Sequence, residues 1–275
     1  MASFLDHDGN ITILFFGDLV GKPGRKAFAS SLPRLVERYG ADLVIANGEN
    51  IAGGFGLTVE TAQELFKAGA DVITTGNHVW DNREIIPYIE NTPALIRPEN
   101  YPVDTPGFGS IVVKTRGGYK VCVMNAMGRI FMGLFDDPFA RISDLVDERA
   151  GETPMIIVDF HGEDTREKGA FAHFLDGRVS AVIGTHTHVQ TADERILPEG
   201  TAFITDAGMC GPTDSVIGVK KESAISRFLT SIPQRFETAK KDVEVQGVAI
   251  TIDIKTGKSI SIERFKVAYS QKEVP

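Results

Sequence analysis

Cysteine is scarce in this sequence: among 275 residues only Cys122 and Cys210 occur, far apart and outside any CxxC pair. That excludes a disulfide framework and a thiolate zinc site, and it fits a reducing compartment in which both thiols are buried or incidental. Long hydrophobic runs are also missing. The longest, such as residues 11–16, are strand-sized and far short of a bilayer span. Met1 to Asn10 is mostly polar, without the apolar core of a signal peptide. A cytoplasmic protein with no membrane association is therefore expected. An excess of basic charge is absent as well: 29 Lys and Arg stand against 37 Asp and Glu, a net charge of −8. This argues against a broad grip on extended nucleic acid. A small anionic substrate stays compatible with it, because a metal site supplies local positive charge. Internal repeats, low-complexity tracts and Gly/Ser linkers are lacking, so residues 1–275 are expected to form one domain.

What the chain does contain is a series of short apolar runs, each stopped by a polar or glycine-rich turn, at 11–16, 43–46, 72–75, 111–113, 121–124, 155–160, 181–183 and 202–205. Such runs, rich in β-branched residues, indicate strands buried on both faces. Residues 248–254 and 259–267 predict a terminal hairpin around Lys255-Thr256-Gly257. Helical spacing joins Phe28, Leu32, Leu35, Val36 and Tyr39, with Pro33 predicting a kink or two short pieces. Thr58 predicts the N-cap of a helix that buries Ala62, Leu65 and Phe66 and ends near Gly69. Asp81 with Glu84 resembles a capping box opening the next helix. Further helices are expected near 140–149, 168–175 and 222–230. The alternation of strands and helices gives an α/β architecture. Residues 85–139, rich in proline and glycine, are expected to form a small lobe over the core.

The residues with chemical potential stand just past the strands. The runs lead into Gly17-Asp18, Asn47-Gly48-Glu49-Asn50, Gly76-Asn77-His78, His161-Gly162 and Gly184-Thr185-His186-Thr187-His188. Open α/β sheets bind ligands outside the carboxyl ends of their strands. Each segment alone suits an ordinary turn or a satisfied polar residue; their joint occurrence points to a metal centre made of Asp18, Glu49, Asn50, Asn77, His161, His186 and His188. Two divalent ions bring +4, and Asp18 with Glu49 brings only −2; neutral imidazoles and amides fill the other positions without cancelling the charge. A net positive site favours a phosphate ester. Two ions about 3.5–4 Å apart, bridged by one carboxylate, would generate hydroxide and stabilise the phosphoryl oxygens. His78, next to a proposed ligand, would protonate the leaving oxygen.

These blocks resemble the calcineurin-like metallophosphoesterase superfamily, whose motifs run as an Asp block, a second carboxylate, Gly-Asn-His, a His block and Gly-His-x-His. The first block of the superfamily normally reads Asp-x-His; here it is Asp18-Leu19-Val20, and Glu49-Asn50 stands where most relatives carry Asp. That variation is similar to the YmdB-like branch of bacterial phosphodiesterases, as are Gly76-Asn77-His78-Val79-Trp80-Asp81, Asn125-Ala126-Met127-Gly128-Arg129 and the segment from Gly211 to Gly218. The match spans about residues 11–268. It implies a four-layer α/β/β/α sandwich and hydrolysis of cyclic nucleotide phosphodiesters, 2′,3′ or 3′,5′. It further implies one metal held by Asp18, Glu49, Asn50 and His188 and a second by Glu49, Asn77, His161 and His186, with Glu49 bridging and His78 catalytic. Iron is the metal associated with the branch; manganese or zinc also suits such mixed N/O ligands.

Two loops carry lesser expectations: amides of Gly53-Gly54-Phe55-Gly56 contacting a phosphate, and residues 208–218 lining the substrate mouth. A P-loop is excluded because 17–22 is one residue short and Pro23 stands where Ser or Thr is required. A metallo-β-lactamase-like site is excluded because Gln190-Thr191 comes after His188. A phosphomonoesterase or protein phosphatase on the same metal core remains open, as does a regulatory protein that binds metal and nucleotide without turnover. Assembly into a homo-oligomer is common for soluble enzymes, but the sequence locates no interface.

Overall fold

The strand at Asn10–Phe16 (β1) alternates its side chains between two apolar environments. Ile11, Ile13 and Phe15 face one core, while Leu14 and Phe16 face another. A strand buried on both faces needs a layer on each side, and that requirement organises the molecule. The computed structural model describes residues 9–269; residues 1–8, most of the polar N-terminal stretch, and 270–275 lie outside the described residues.

In chain order the remaining strands are β2 (Asp18–Leu19), β3 (Leu43–Asn47), β4 (Val72–Thr74), β5 (Ser110–Lys114), β6 (Lys120–Met127), β7 (Ile156–His161), β8 (Ala181–Thr185), β9 (Arg195–Ile196), β10 (Ala202–Ile204), β11 (Met209–Pro212), β12 (Val243–Asp253) and β13 (Ser259–Tyr269). The helices are α1 (Gly21–Tyr39), α2 (Val59–Ala68), α3 (Ile86–Ile89), α4 (Pro138–Arg149), α5 (Thr165–Phe174) and α6 (Lys221–Thr230). One sheet runs β2-β11-β12-β1-β3-β4 with β13 paired along β12; the other runs β5-β6-β7-β8-β10-β9. Both have a parallel centre, β1-β3-β4 and β6-β7-β8-β10, so several carboxyl ends open toward one edge of each sheet.

Three apolar clusters confirm the four layers. Between the sheets lie Ile13, Phe15 and Ile45 of the first against Val123, Ile157 and Ile183 of the second. Outside the first sheet, α1 and α2 bury Phe28, Leu32, Leu35 and Leu65. Outside the second, α4 and α5 bury Ile142, Val146 and Phe171. Each fully buried side chain of this size contributes about 1.5–3 kcal/mol. Of residues 85–139, the segments 110–114 and 120–127 are strands of the second sheet.

Helix α1 corrects the expectation of two short pieces. It is a single 19-residue helix through Pro33, starting seven residues before Phe28. The backbone cost of an internal proline, about 3 kcal/mol, is offset by the buried stripe from Gly21 through Phe28 to Leu35. Gly24 permits this docking, since a Cβ there would stand 2.2 Å from the carbonyl oxygen of Cys210. Helix α2 starts at Thr58, whose hydroxyl accepts from the Thr61 amide while the Thr61 hydroxyl accepts from the Thr58 amide. The Asp81/Glu84 capping box does not form. Residues Arg83–Ile85 make a 3-10 turn preceded by Asn82, whose side chain makes no capping bond; the Asp81 carboxylate turns to His78, and Glu84 accepts from the Val59 amide.

Candidate metal centre

All seven proposed ligands are brought to one place, where the carboxyl ends of the two sheets meet. Asp18 opens β2 after β1, Glu49 and Asn50 come after β3, and Asn77 comes after β4. His161 ends β7, and His186 and His188 come after β8. Two groups of donor atoms, each within 4.8 Å of one another, share Glu49: one is Glu49, His161 and His186, the other Asp18, Glu49 and His188. The amides complete them. Asn77 Oδ1 lies 3.1 Å from His161 Nε2, and Asn50 Nδ2 lies 2.8 Å from Glu49 Oε1 and 3.1 Å from His188 Nε2. Rotation of the Asn50 amide presents its oxygen to the same point. Val20, where the superfamily carries histidine, is an apolar wall of the adjoining cavity.

The protonation pattern tests whether cations fit here. His161 Nδ1 lies 2.8 Å from the Thr185 hydroxyl, which donates to Asp159 Oδ1 at 2.7 Å. A hydroxyl that donates to a carboxylate accepts from the imidazole, so Nδ1 of His161 carries its proton and Nε2 faces the site. Nε2 is met by Glu49 Oε1 at 3.2 Å, Asn77 Oδ1 at 3.1 Å and His186 Nδ1 at 3.1 Å. Burial disfavours the imidazolium, yet the Glu49 and Asp18 carboxylates push His161 up to about 9. Acceptors thus converge on His161 Nε2, where a metal ion would take the same lone pairs. Burial and the neighbouring His161 push His186 down to about 3. Burial alone would raise Glu49, but the His161 imidazole beside it holds the carboxyl well below the usual range. Burial pushes Asp18 up to about 6 against the pull of His188 and His161. Its Oδ1 is completely buried without a hydrogen-bond partner, an orphan acceptor that a cation would satisfy.

Space is reserved as well. A Cβ on Gly76 would stand 2.2 Å from Glu49 Oε2 and 2.4 Å from His161 Nε2, so any side chain at this position would intrude on the ligands. Donor types, the orphan carboxylate oxygen and this clearance fit a pair of metal ions.

The surroundings hold two of the proposed ligands in costly conformations. His186 and His188 have φ of 105° and 63°, and Ile217, whose carbonyl accepts from His188 Nδ1 at 2.9 Å, has φ of 47°. Such strain persists where the surroundings over-determine it. A buried ion pair, Lys168 to Asp206 at 2.9 Å, contributes: Asp206 also accepts from the amides of Thr187 and Gly208 and so pins the residue between the two histidines.

His78 borders the cavity beside these ligands, its amide donating to Glu49 Oε2 at 3.3 Å. Its Nδ1 is 2.9 Å from Asp81 Oδ2, and Phe55 meets its ring edge-on at 5.1 Å. Residues 216–218 also line the cavity, as expected of that loop. The Gly54 amide is not presented to a phosphate; it donates to the Asn50 carbonyl at 3.2 Å.

Sequence reasoning misses two groups. Asp159 is completely buried and takes hydrogen bonds from Thr74, Thr185 and Asn47. The available signal is an acidic residue inside an otherwise apolar strand, since a buried carboxylate must be fully partnered. Asp81 has the sequence setting of a helix cap; its spacing of three from His78 is the clue to its other partner.

Known proteins are similar to this chain along nearly its whole length. A 2′,3′-cyclic-nucleotide 2′-phosphodiesterase of Bacillus subtilis is 49% identical over 255 residues, covering 93% of this chain and 96% of that protein. A solved structure described as a novel phosphatase, from Mycoplasma pneumoniae, superposes with a TM-score of 0.88 at 37% identity, covering 94% of each chain. A hypothetical protein of known structure from Thermus thermophilus gives 0.88 at 40% identity, covering 94% of this chain and 100% of that one. The model of the YmdB-like protein family matches residues 14–265, and with relatives this similar along nearly their whole length, the chain belongs to that family.

Proposed function

We propose that the protein is a metal-dependent phosphodiesterase that opens 2′,3′-cyclic nucleotides at the 2′ oxygen. The observation that carries this reading is the pair of donor groups sharing Glu49, in a chain 49% identical to a protein named for that reaction. Asp18, Glu49, Asn50 and His188 would hold one ion and Glu49, Asn77, His161 and His186 the other, with iron the leading candidate and manganese or zinc suited to the same donors. Two such ions lower the pKa of water and neutralise charge on phosphoryl oxygens. The two sheets and the core between them fix the ligands before substrate arrives, so little reorganisation accompanies the reaction. His78 acts on the leaving group. Held by Asp81 through Nδ1–H, the imidazolium presents Nε2–H, and the 2′ oxygen takes that proton as its bond to phosphorus breaks and water supplies the new P–O bond. The edge-on ring of Phe55 packs against one side of this imidazole. The product is a nucleoside 3′-phosphate. Two buried free thiols suit a reducing, cytoplasmic setting.

The test is hydrolysis of 2′,3′-cyclic AMP by protein reconstituted with Mn²⁺, with a chelated control. Metal-dependent release of 3′-AMP supports the reading. Faster turnover of a 3′,5′-cyclic nucleotide reassigns the linkage. Preference for a phosphate monoester replaces the reading with a phosphatase, and metal-dependent binding without turnover replaces it with a regulatory protein.

A further inference from the structure

The cavity bordered by Glu49, His186 and His188 has a volume of about 510 Å³, more than a cyclic phosphate and two ions fill. Sites of this size take whole small molecules. Beyond the proposed ligands its wall is mixed, aliphatic at Val20, Val216 and Ile217 and aromatic at Phe55, Phe228 and Phe236. Phe55 and Phe236 lie nearly parallel, at 25° and 6.3 Å between ring centres. The guanidinium of Arg227, projecting from α6, lies over the Phe236 ring at 4.9 Å. Phe55 also touches His78, so the aromatic wall begins one side chain away from the proposed proton donor.

Polar groups on this wall are already engaged. The Thr238 hydroxyl donates to the Gly53 carbonyl at 2.8 Å, and Glu237 is paired with Lys220. The wall therefore offers π-faces and a delocalised cation rather than a fixed pattern of donors and acceptors. Stacking on such a surface tolerates every base, because every base has a π-face, and it strengthens with ring area.

We propose that Phe55 and Phe236, backed by Arg227, form a platform on which the substrate's nucleobase stacks, selecting for ring area and not for the base's hydrogen-bonding edge. The proposal rests on the cyclic-nucleotide reading of the metal centre. It places the phosphate at the metal ligands and the base against the aromatic wall of the same cavity. Phe236 is the cleaner residue to vary, because Phe55 contacts His78.

The experiment measures kcat/KM, with Mn²⁺-reconstituted protein, for the four 2′,3′-cyclic mononucleotides and for ribose 2′,3′-cyclic phosphate, which has no base. The two purines should be used alike, ahead of both pyrimidines, with the abasic compound last. Phe236→Ala should lower the ratio of purine-nucleotide to abasic kcat/KM by about tenfold, the size of one lost base stack; Phe236→Tyr should restore it. Phe236→Leu, which keeps bulk without a π-face, should resemble Phe236→Ala. An unchanged ratio in Phe236→Ala, or adenine and guanine differing by more than about tenfold in the wild type, overturns the platform while leaving the phosphodiesterase reading intact. Wild-type turnover of bis(p-nitrophenyl) phosphate with none of any cyclic nucleotide overturns both.

Discussion

The two sheets contribute unlike chemistry to the same site. The first, through the ends of β1, β3 and β4, delivers the oxygen-rich set, Asp18, Glu49, Asn50 and Asn77. The second, through β7 and β8, delivers the three imidazoles of the proposed donor groups, His161, His186 and His188. Neither sheet alone carries a complete donor group, because each group draws on both. The apolar layer between the sheets is thus what brings oxygen and nitrogen ligands into register. The proposed metal centre would depend on sheet-to-sheet packing as directly as on its donors.

The residue that breaks this division most severely is Glu49, the one donor shared by both groups. Glu49→Gln should lose both metals and lower activity by more than about 10³-fold, since each ion contributes several kcal/mol to the transition state. Elemental analysis showing one metal retained at full occupancy would count against bridging. His78→Ala should cost about 10²–10³-fold in kcat, a usual range for a lost general acid, with metal content kept. Loss of metal in that variant would move His78 from proton donor to ligand.

Asp159 sharpens the comparison because it ties the sheets together, taking Asn47 and Thr74 from the first and Thr185 from the second. Asp159→Asn should weaken metal affinity by about 10–100-fold, the usual cost of disturbing a partner of a ligating histidine. Titration with a competing chelator measures this, and unaltered affinity would show that Thr185 alone sets the tautomer of His161. The smallest effect should come from the apolar layer. Ile157→Val, in the core between the sheets, should reduce stability by about 0.5–1.5 kcal/mol, read by denaturant unfolding, with metal content unchanged. A variant that lost metal at that small cost would show that ligand register is more sensitive to the layer than global stability is.

Much of this is legible in the sequence, for reasons that differ by element. Strands such as β1 and β7 announce themselves because burial on both faces demands a near-continuous apolar run. The proposed donors stand out because each comes after such a run, most of them next to a glycine or within a histidine pair. The small strands β2, β9 and β11 are not, as two to four residues carry no periodicity and form only because their partners are in place. Helix α1 misleads because Pro33 argues locally against helix, while the stripe packed on the sheet decides globally. Asp81 misleads because one spacing serves two purposes, a cap and a partner for His78, and only tertiary placement separates them. The aromatic wall is invisible for a similar reason: Phe55 and Phe236 are far apart in the chain and meet only in the fold.

Gly76 carries a consequence of its own. It holds no metal, donates no side-chain hydrogen bond and has no charge to remove. Even so, a single methyl group there would overlap Glu49 and His161 at once. In a mutational map of the protein, position 76 should stand out as sharply as a ligand, and alanine, elsewhere the gentlest probe, should be as damaging there as a charge reversal. The centre is defined by an excluded volume as well as by donor atoms, and criteria that score polarity or charge would pass over the position that keeps that volume clear.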